Sequence, residues 1–187
     1  MDQELALIQK IKQGDSEAFG KLYDQYIQKI YNFIYYKTYH QETAEDLTSL
    51  TFTKALEKIN IFNEQRASFA TWLYTIARNN VIDHFRTEKK NFDIDDVWDL
   101  PSNENSELDI ENKLQLESLR EYLKNLEVEK REIIILRVWE GLSYQEIAQI
   151  IGKNEDNCKM IFSRTIHKLR NKMPLALFIM LLINNLK

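Results

Sequence analysis

Apolar side chains recur at steps of three and four along most of this chain, the spacing that lays a single stripe along an α-helix. In residues 3–36 the stripe runs through Leu5, Ile8, Ile11, Phe19, Leu22, Tyr23, Tyr26, Ile30, Phe33 and Ile34. Gly14-Asp15-Ser16 interrupts it, so two helices are predicted. A third is predicted from about Glu42 to Ile59, on Ala44, Leu47, Thr51, Phe52, Ala55, Leu56 and Ile59. Asn60 to Ser68 reads as a loop, and FATWLYTIARNNVIDHFR as a fourth helix burying Phe69, Trp72, Leu73, Ile76 and Ala77. Opposite that stripe, Thr71, Thr75, Arg78, Asn79 and Arg86 fall roughly along one polar face.

The pattern lapses after Lys90 and resumes at Leu114, continuing through Leu116, Leu119, Leu123 and Leu126. The run Ile133–Leu136 within EKREIIILRVWE suits a buried helix, and Gly141 can take the left-handed conformation that ends one. Ser143 with Glu146 three residues on is a capping box for a helix through Ile151. Gly152 makes the next turn, and Asn154 is an N-cap for a helix to about Lys172, stopped near Pro174. Nine consecutive apolar residues follow, Leu175 to Ile183, too few for a bilayer span of ~20. Their first reading is a terminal helix packed on the chain's own surface; the second is a cover for a binding face, or a dock for a partner.

Composition agrees with helices. Four Gly and two Pro among 187 residues are too few for a turn-rich β protein. A single cysteine, Cys158, excludes an internal disulfide framework, and no Cys/His cluster has zinc-ligand spacing. The charged N-terminus lacks the apolar core of a signal peptide, so a cytoplasmic protein with no transmembrane segment is expected. The net charge of -4 runs against nucleic-acid binding until it is located along the chain. Eight acids and no Lys or Arg lie between Asn91 and Asn112; with those eight removed from 29, 21 acids face 25 bases. Two slightly basic bodies are thus joined by an acidic connector.

The expected fold is all-α, two small helical domains joined by an acidic linker. The expected boundaries are 1–90, a linker at 91–113, 114–173, and an apolar tail at 174–187. The second body's helix, tight turn, helix carries Lys159, Arg164, Lys168, Arg170 and Lys172 with no acid after Asp156. That is how a helix-turn-helix meets the major groove.

GLSYQEIAQIIG, preceded by REIIILRVWE, resembles the fourth region of extracytoplasmic-function sigma factors, the smallest class of the sigma-70 family. AEDLTSLTFTKALEKI and ASFATWLYTIARNNVIDHFR resemble their second region, in the family's order and spacing. The resemblance implies a non-enzymatic factor that directs core RNA polymerase to promoters and promotes opening of the -10 element. The helix holding Glu45 and Asp46 would dock on the clamp coiled coil of the largest subunit, and the flap is a further contact. The loop Asn60–Ser68 and the helix after it would hold the -10 non-template strand, through Phe62, Thr75, Arg78, Asn79, Arg86, Lys89 and Lys90. Asn79 stands at the family position that contacts a flipped base. The second body would read the -35 element through Ser143, Tyr144, Asn157, Lys159, Ser163, Arg164 and Lys168.

No cofactor and no metal are implied; an anti-sigma factor is a candidate partner, and the free protein is expected to be a monomer. The family motif usually continues with Gln-Glu where this chain has Ser49-Leu50, and Ile161 and Ile166 stand where Arg is frequent. These departures leave an alternative, a sigma-like regulator or decoy that binds polymerase or DNA without initiating. A more distant one is a Mg²⁺-dependent helical hydrolase built on Glu42, Glu45, Asp46, Asp93, Asp95 and Asp96.

Overall fold

The computed structural model describes residues 2–88 and 118–183, which fall into two compact units divided at Leu100/Pro101. Lys89, Lys90, the acidic connector and its Asp93, Asp95 and Asp96 lie outside the described residues. Among the described residues every regular element is helical.

The first unit comprises α1 (Asp2–Lys12), α2 (Ser16–Thr38), α3 (Gln41–Lys58), a 3₁₀ turn (Ile59–Ile61) and α4 (Phe69–Glu88). Each break has a local cause. Gly14 at φ 93° reverses the chain after α1, and the Asp15 carboxylate accepts the Ala18 N–H at 3.0 Å to start α2. Tyr39, left-handed at φ 54°, ends α2. His40 Nδ1 then accepts the Thr43 N–H at 3.2 Å to start α3. Helix α2 packs against α1, α3 and α4. Ile30, Phe33 and Ile34 on α2 and Leu73 and Ala77 on α4 are buried completely.

The second unit holds α5 (the helical residues 118–124), α6 (Val128–Ile134), a π-helical continuation (Ile135–Trp139), α7 (Tyr144–Ile151), α8 (Glu155–Lys172) and α9 (Leu175–Ile183). Ile133, Ile134, Ile135 and Leu136 are each 0 % exposed. Four consecutive buried positions require an element enclosed all round, and here part of it widens into a π turn, which the apolar pattern did not predict. Gly141 at φ 67° and Gly152 at φ 73° take the left-handed conformation expected of them. The Ser143–Glu146 capping box and the Asn154 cap both form. Helix α9 is part of this unit's core: Leu177, Phe178 and Leu181 are buried with Leu119, Leu123, Ile134, Leu169 and Met173, and Trp139 Nε1 donates to the Leu181 carbonyl at 3.0 Å. Among the described residues no helix is long and apolar enough to cross a membrane.

Candidate nucleic-acid interface

In the first unit the outward row of α4 is set by what its inward face must bury. Phe69, Leu73, Tyr74, Ala77 and Val81 are in the core, which leaves Thr75, Asn79, Ile82 and Arg86, at steps of three and four, along the opposite side. Thr75 is half-buried, with its hydroxyl donating to the Thr71 carbonyl at 2.7 Å; Asn79 and Arg86 are exposed, and Arg78 flanks the row, half-buried. Thr71 departs from the expected polar face. It is 1 % exposed and its hydroxyl meets Ser68 Oγ at 2.8 Å, so it belongs to the helix start. Ile82, 42 % exposed, stands in the middle of the row and is absent from the polar face expected from the sequence.

Phe62 also departs from expectation. At 3 % exposure its ring packs on Phe69 and Trp72, with centroids 5.8 and 5.2 Å away, so it is a core residue and not an open wall for a base. The chain after it is ordered by its own polar groups. Asn63 Oδ1 accepts the Gln65 N–H at 2.9 Å, the Asn63 carbonyl accepts the Arg66 N–H at 3.1 Å, and Ser68 Oγ accepts the Thr71 N–H at 3.2 Å. This leaves Asn63, Glu64, Gln65 and Arg66 exposed at the loop tip.

Beneath α4 a polar relay absent from the sequence reading ties it to α3. Lys54 Nζ donates to Asn80 Oδ1 at 2.6 Å, Asn80 Nδ2 donates to Thr51 Oγ1 at 3.0 Å, and Thr51 Oγ1 donates to the Leu47 carbonyl at 2.6 Å. Asn80 is 3 % exposed, and its amide has both a donor and an acceptor partner. On the outer side of α3, Glu45, Asp46, Ser49 and Leu50 are exposed, and Gln41 Nε2 donates to Glu45 Oε1 at 2.9 Å. Among the described residues no three His, Cys, Asp or Glu side chains gather as a metal-binding group, so Glu42, Glu45 and Asp46 do not converge into a cage.

In the second unit, Cys158, Thr165 and Leu169 turn one side of α8 inward. The opposite broad arc exposes Asn157, Lys159, Ser163, Arg164 and Lys168 together. Lys159 is bound by its own helix. Its ammonium lies 2.7 Å from Glu155 Oε1 and 3.9 Å from Asp156 Oδ1, and the hydrogen bond to Glu155 holds its pKa above the ordinary lysine value. Ser143 is exposed but committed to the cap, donating to Glu146 Oε2 at 2.8 Å. Tyr144 is half-buried between the Arg137 guanidinium, 4.7 Å from its ring centroid, and Phe162 at 5.7 Å. Arg137 also donates to the Leu142 carbonyl at 2.8 Å, which braces the turn entering α7. Ile161 and Ile166 are half-buried, Ile166 against the unit's core, so neither interrupts the middle of the outward arc.

Residues 22–91 match the family model for sigma-70 region 2, and residues 116–169 the model for sigma-70 region 4. The extracytoplasmic-function (ECF) RNA polymerase sigma factor BldN of Streptomyces coelicolor is 36% identical over 173 residues, covering 91% of this chain and 66% of that protein. The ECF sigma factor SigX of Bacillus subtilis is 33% identical over 174 residues, covering 85% of each. The chain belongs to the sigma-70 family, among its ECF members. A solved structure of the sigma factor RpoE with the anti-sigma factor NepR, from Bartonella quintana, matches with a TM-score of 0.64 and 26% identity, over 82% of this sigma factor and 94% of that chain. As a sigma factor the protein is a transcription-initiation factor and not an enzyme.

Proposed function

We propose that the sigma factor divides promoter recognition between its units as its exposed rows are divided. The observation that carries this is the α4 row, where Asn79 and Arg86 stand outward on a helix whose other side is fixed in a close-packed core. A flipped base costs a few kcal/mol of lost stacking, and rigidly presented hydrogen-bonding groups offset it best. Asn79, with amide donors and an acceptor, meets the base; Thr75, Arg78 and the loop tip hold the adjacent strand, and Arg86, followed by Lys89 and Lys90, takes phosphate.

In the second unit α8 enters the major groove at the -35 element. Asn157, Lys159, Ser163, Arg164 and Lys168 face the DNA, and Ser143 and Tyr144 lie at its approach. Glu45 and Asp46 on α3 dock on the polymerase clamp, beside the exposed Ser49 and Leu50 that set this chain apart. The layout is region 2 at 1–90, linker 91–113, region 4 at 114–173 and the apolar tail from 174. The protein works in the cytoplasm as a monomer restrained by an anti-sigma factor, as the NepR complex of its relative suggests.

The test is transcription in vitro with bacterial core polymerase and fragmented genomic DNA from the host, with 5′ ends of the transcripts sequenced. Discrete starts behind shared -35 and -10 elements, lost in Asn79→Ala, are expected. Absence of specific starts alongside an active polymerase control would refute initiation and leave a regulator that binds without initiating.

A further inference from the structure

We propose that Lys12, on α1, is a positioning residue for promoter opening, because it fixes the direction in which the chain enters the loop that holds the -10 strand. The proposal rests on the -10 role given above to that loop. Fifty residues separate Lys12 from Phe62, yet the Lys12 ammonium donates to the Phe62 carbonyl at 2.7 Å and lies 5.7 Å from its ring centroid.

Phe62 is the hinge of the loop. It ends the 3₁₀ turn, its N–H donates to the Ile59 carbonyl at 3.1 Å, and its own φ of -62° and ψ of 134° send the chain out extended. Its ring is locked between Phe69 and Trp72, but packing of a ring does not set ψ, which turns the carbonyl and everything after it. The Lys12 bond sets it, through a charge-assisted contact to an oxygen that no helix uses. With ring and carbonyl both held, the tip Asn63–Arg66 starts from one direction. Helix α1 braces the same cluster a second time: Glu4 Oε2 accepts from Tyr26 OH at 2.8 Å, and Tyr26 packs edge-on to Phe69 at 5.5 Å. Helix α1 thereby bears on the loop at its entry and at the aromatic cluster beneath it.

The experiment uses the full chain with core polymerase on a duplex carrying one of the mapped starts, and follows permanganate reactivity of unpaired -10 thymines. Lys12→Met keeps the aliphatic stem and loses the donor; Lys12→Arg keeps a donor. Lys12→Met is expected to open the duplex about fivefold more slowly, the scale of one partly exposed charged hydrogen bond. Polymerase binding should be unchanged, Lys12→Arg should restore the rate, and a heteroduplex already unpaired at -10 should largely hide the defect.

Normal opening by Lys12→Met, with slow opening by the loop-tip variant Arg66→Ala, would overturn the tether and leave the loop's role standing. Normal opening by both variants, or the lack of any mapped start, would remove the loop's role and the tether with it. Equal loss on duplex and heteroduplex together with a lowered melting temperature of the first unit would assign Lys12 to ordinary stability and also overturn the proposal.

Discussion

Truncating Leu181 to alanine should cost the second unit a large share of its stability, although the residue lies in an apolar tail that the sequence sets apart from the helix-turn-helix. Leu181 is 0 % exposed, whereas its neighbour Leu182 is 46 % exposed on the same helix. Removing a fully buried leucine side chain costs about 2–5 kcal/mol through lost transfer energy and the cavity left behind; the enclosure of Leu181 by Leu119, Leu123, Ile134 and Leu169 points to about 3 kcal/mol. At roughly 0.05–0.15 kcal/mol per residue, a unit of this size has only about 4–13 kcal/mol in total. The melting temperature should therefore fall by about 15 °C, taking about 4–8 °C per kcal/mol for a small domain.

Leu182→Ala, which removes the same atoms from the surface with almost the same helix propensity, should stay within about 0.5 kcal/mol. Urea titration followed by Trp139 fluorescence, with Trp72 and Trp98 replaced by Phe, reports on this unit directly, since Trp139 is bonded to the Leu181 carbonyl. Equal costs at the two leucines, or a loss below about 1 kcal/mol at Leu181, would refute the assignment of α9 to the core.

Asn154→Ala removes the acceptor that meets the Asn157 N–H at 2.8 Å and should destabilise the second unit by about 1 kcal/mol in the same titration, with Asn154→Asp close to the parent. Lys168→Ala should weaken -35 binding and lower the slope of log affinity against log salt by about one if the side chain meets a phosphate, as fluorescence anisotropy over a salt series would show. Burial pushes the Cys158 thiol above its ordinary pKa. The stability gained by keeping it neutral is therefore fully present below that ordinary value and is lost as pH rises from it through the raised value of the folded protein, and a thiol-reactive dye should label the folded protein far more slowly than the protein in urea.

The parts of this molecule legible in the sequence are those governed by local rules. The stripes Ile30–Phe33–Ile34 and Leu73–Ala77, the Asn154 cap, the Ser143–Glu146 box and the left-handed glycines at 141 and 152 each depend on residues within a turn or two of one another. The same rules separated the outward Asn79 and Arg86 from the core. Failures came where a residue's partner lies far along the chain. Phe62 is expected from the sequence among the -10 contacts, because only the fold brings Phe69 and Trp72 to its ring. Nothing in the pattern of α3 or α4 pairs Lys54 with Asn80, 26 positions away.

That missed pair also bears on recognition. Apolar stripes let one helix roll against another by several degrees at little cost, because dispersion contacts are weak individually and non-directional. Side chains reach about 5–6 Å from a helix axis, so a roll of about 20° would carry the Asn79 amide about 2 Å from its place, more than a hydrogen bond tolerates. The relay from Lys54 through Asn80 to Thr51 is directional, and it adjoins Asn79 in sequence. It opposes that roll, while the Lys12–Phe62 bond opposes the corresponding swing of the loop. The residues proposed to touch the promoter can be picked out by local pattern, but the precision with which they are held is set by these long-range polar contacts.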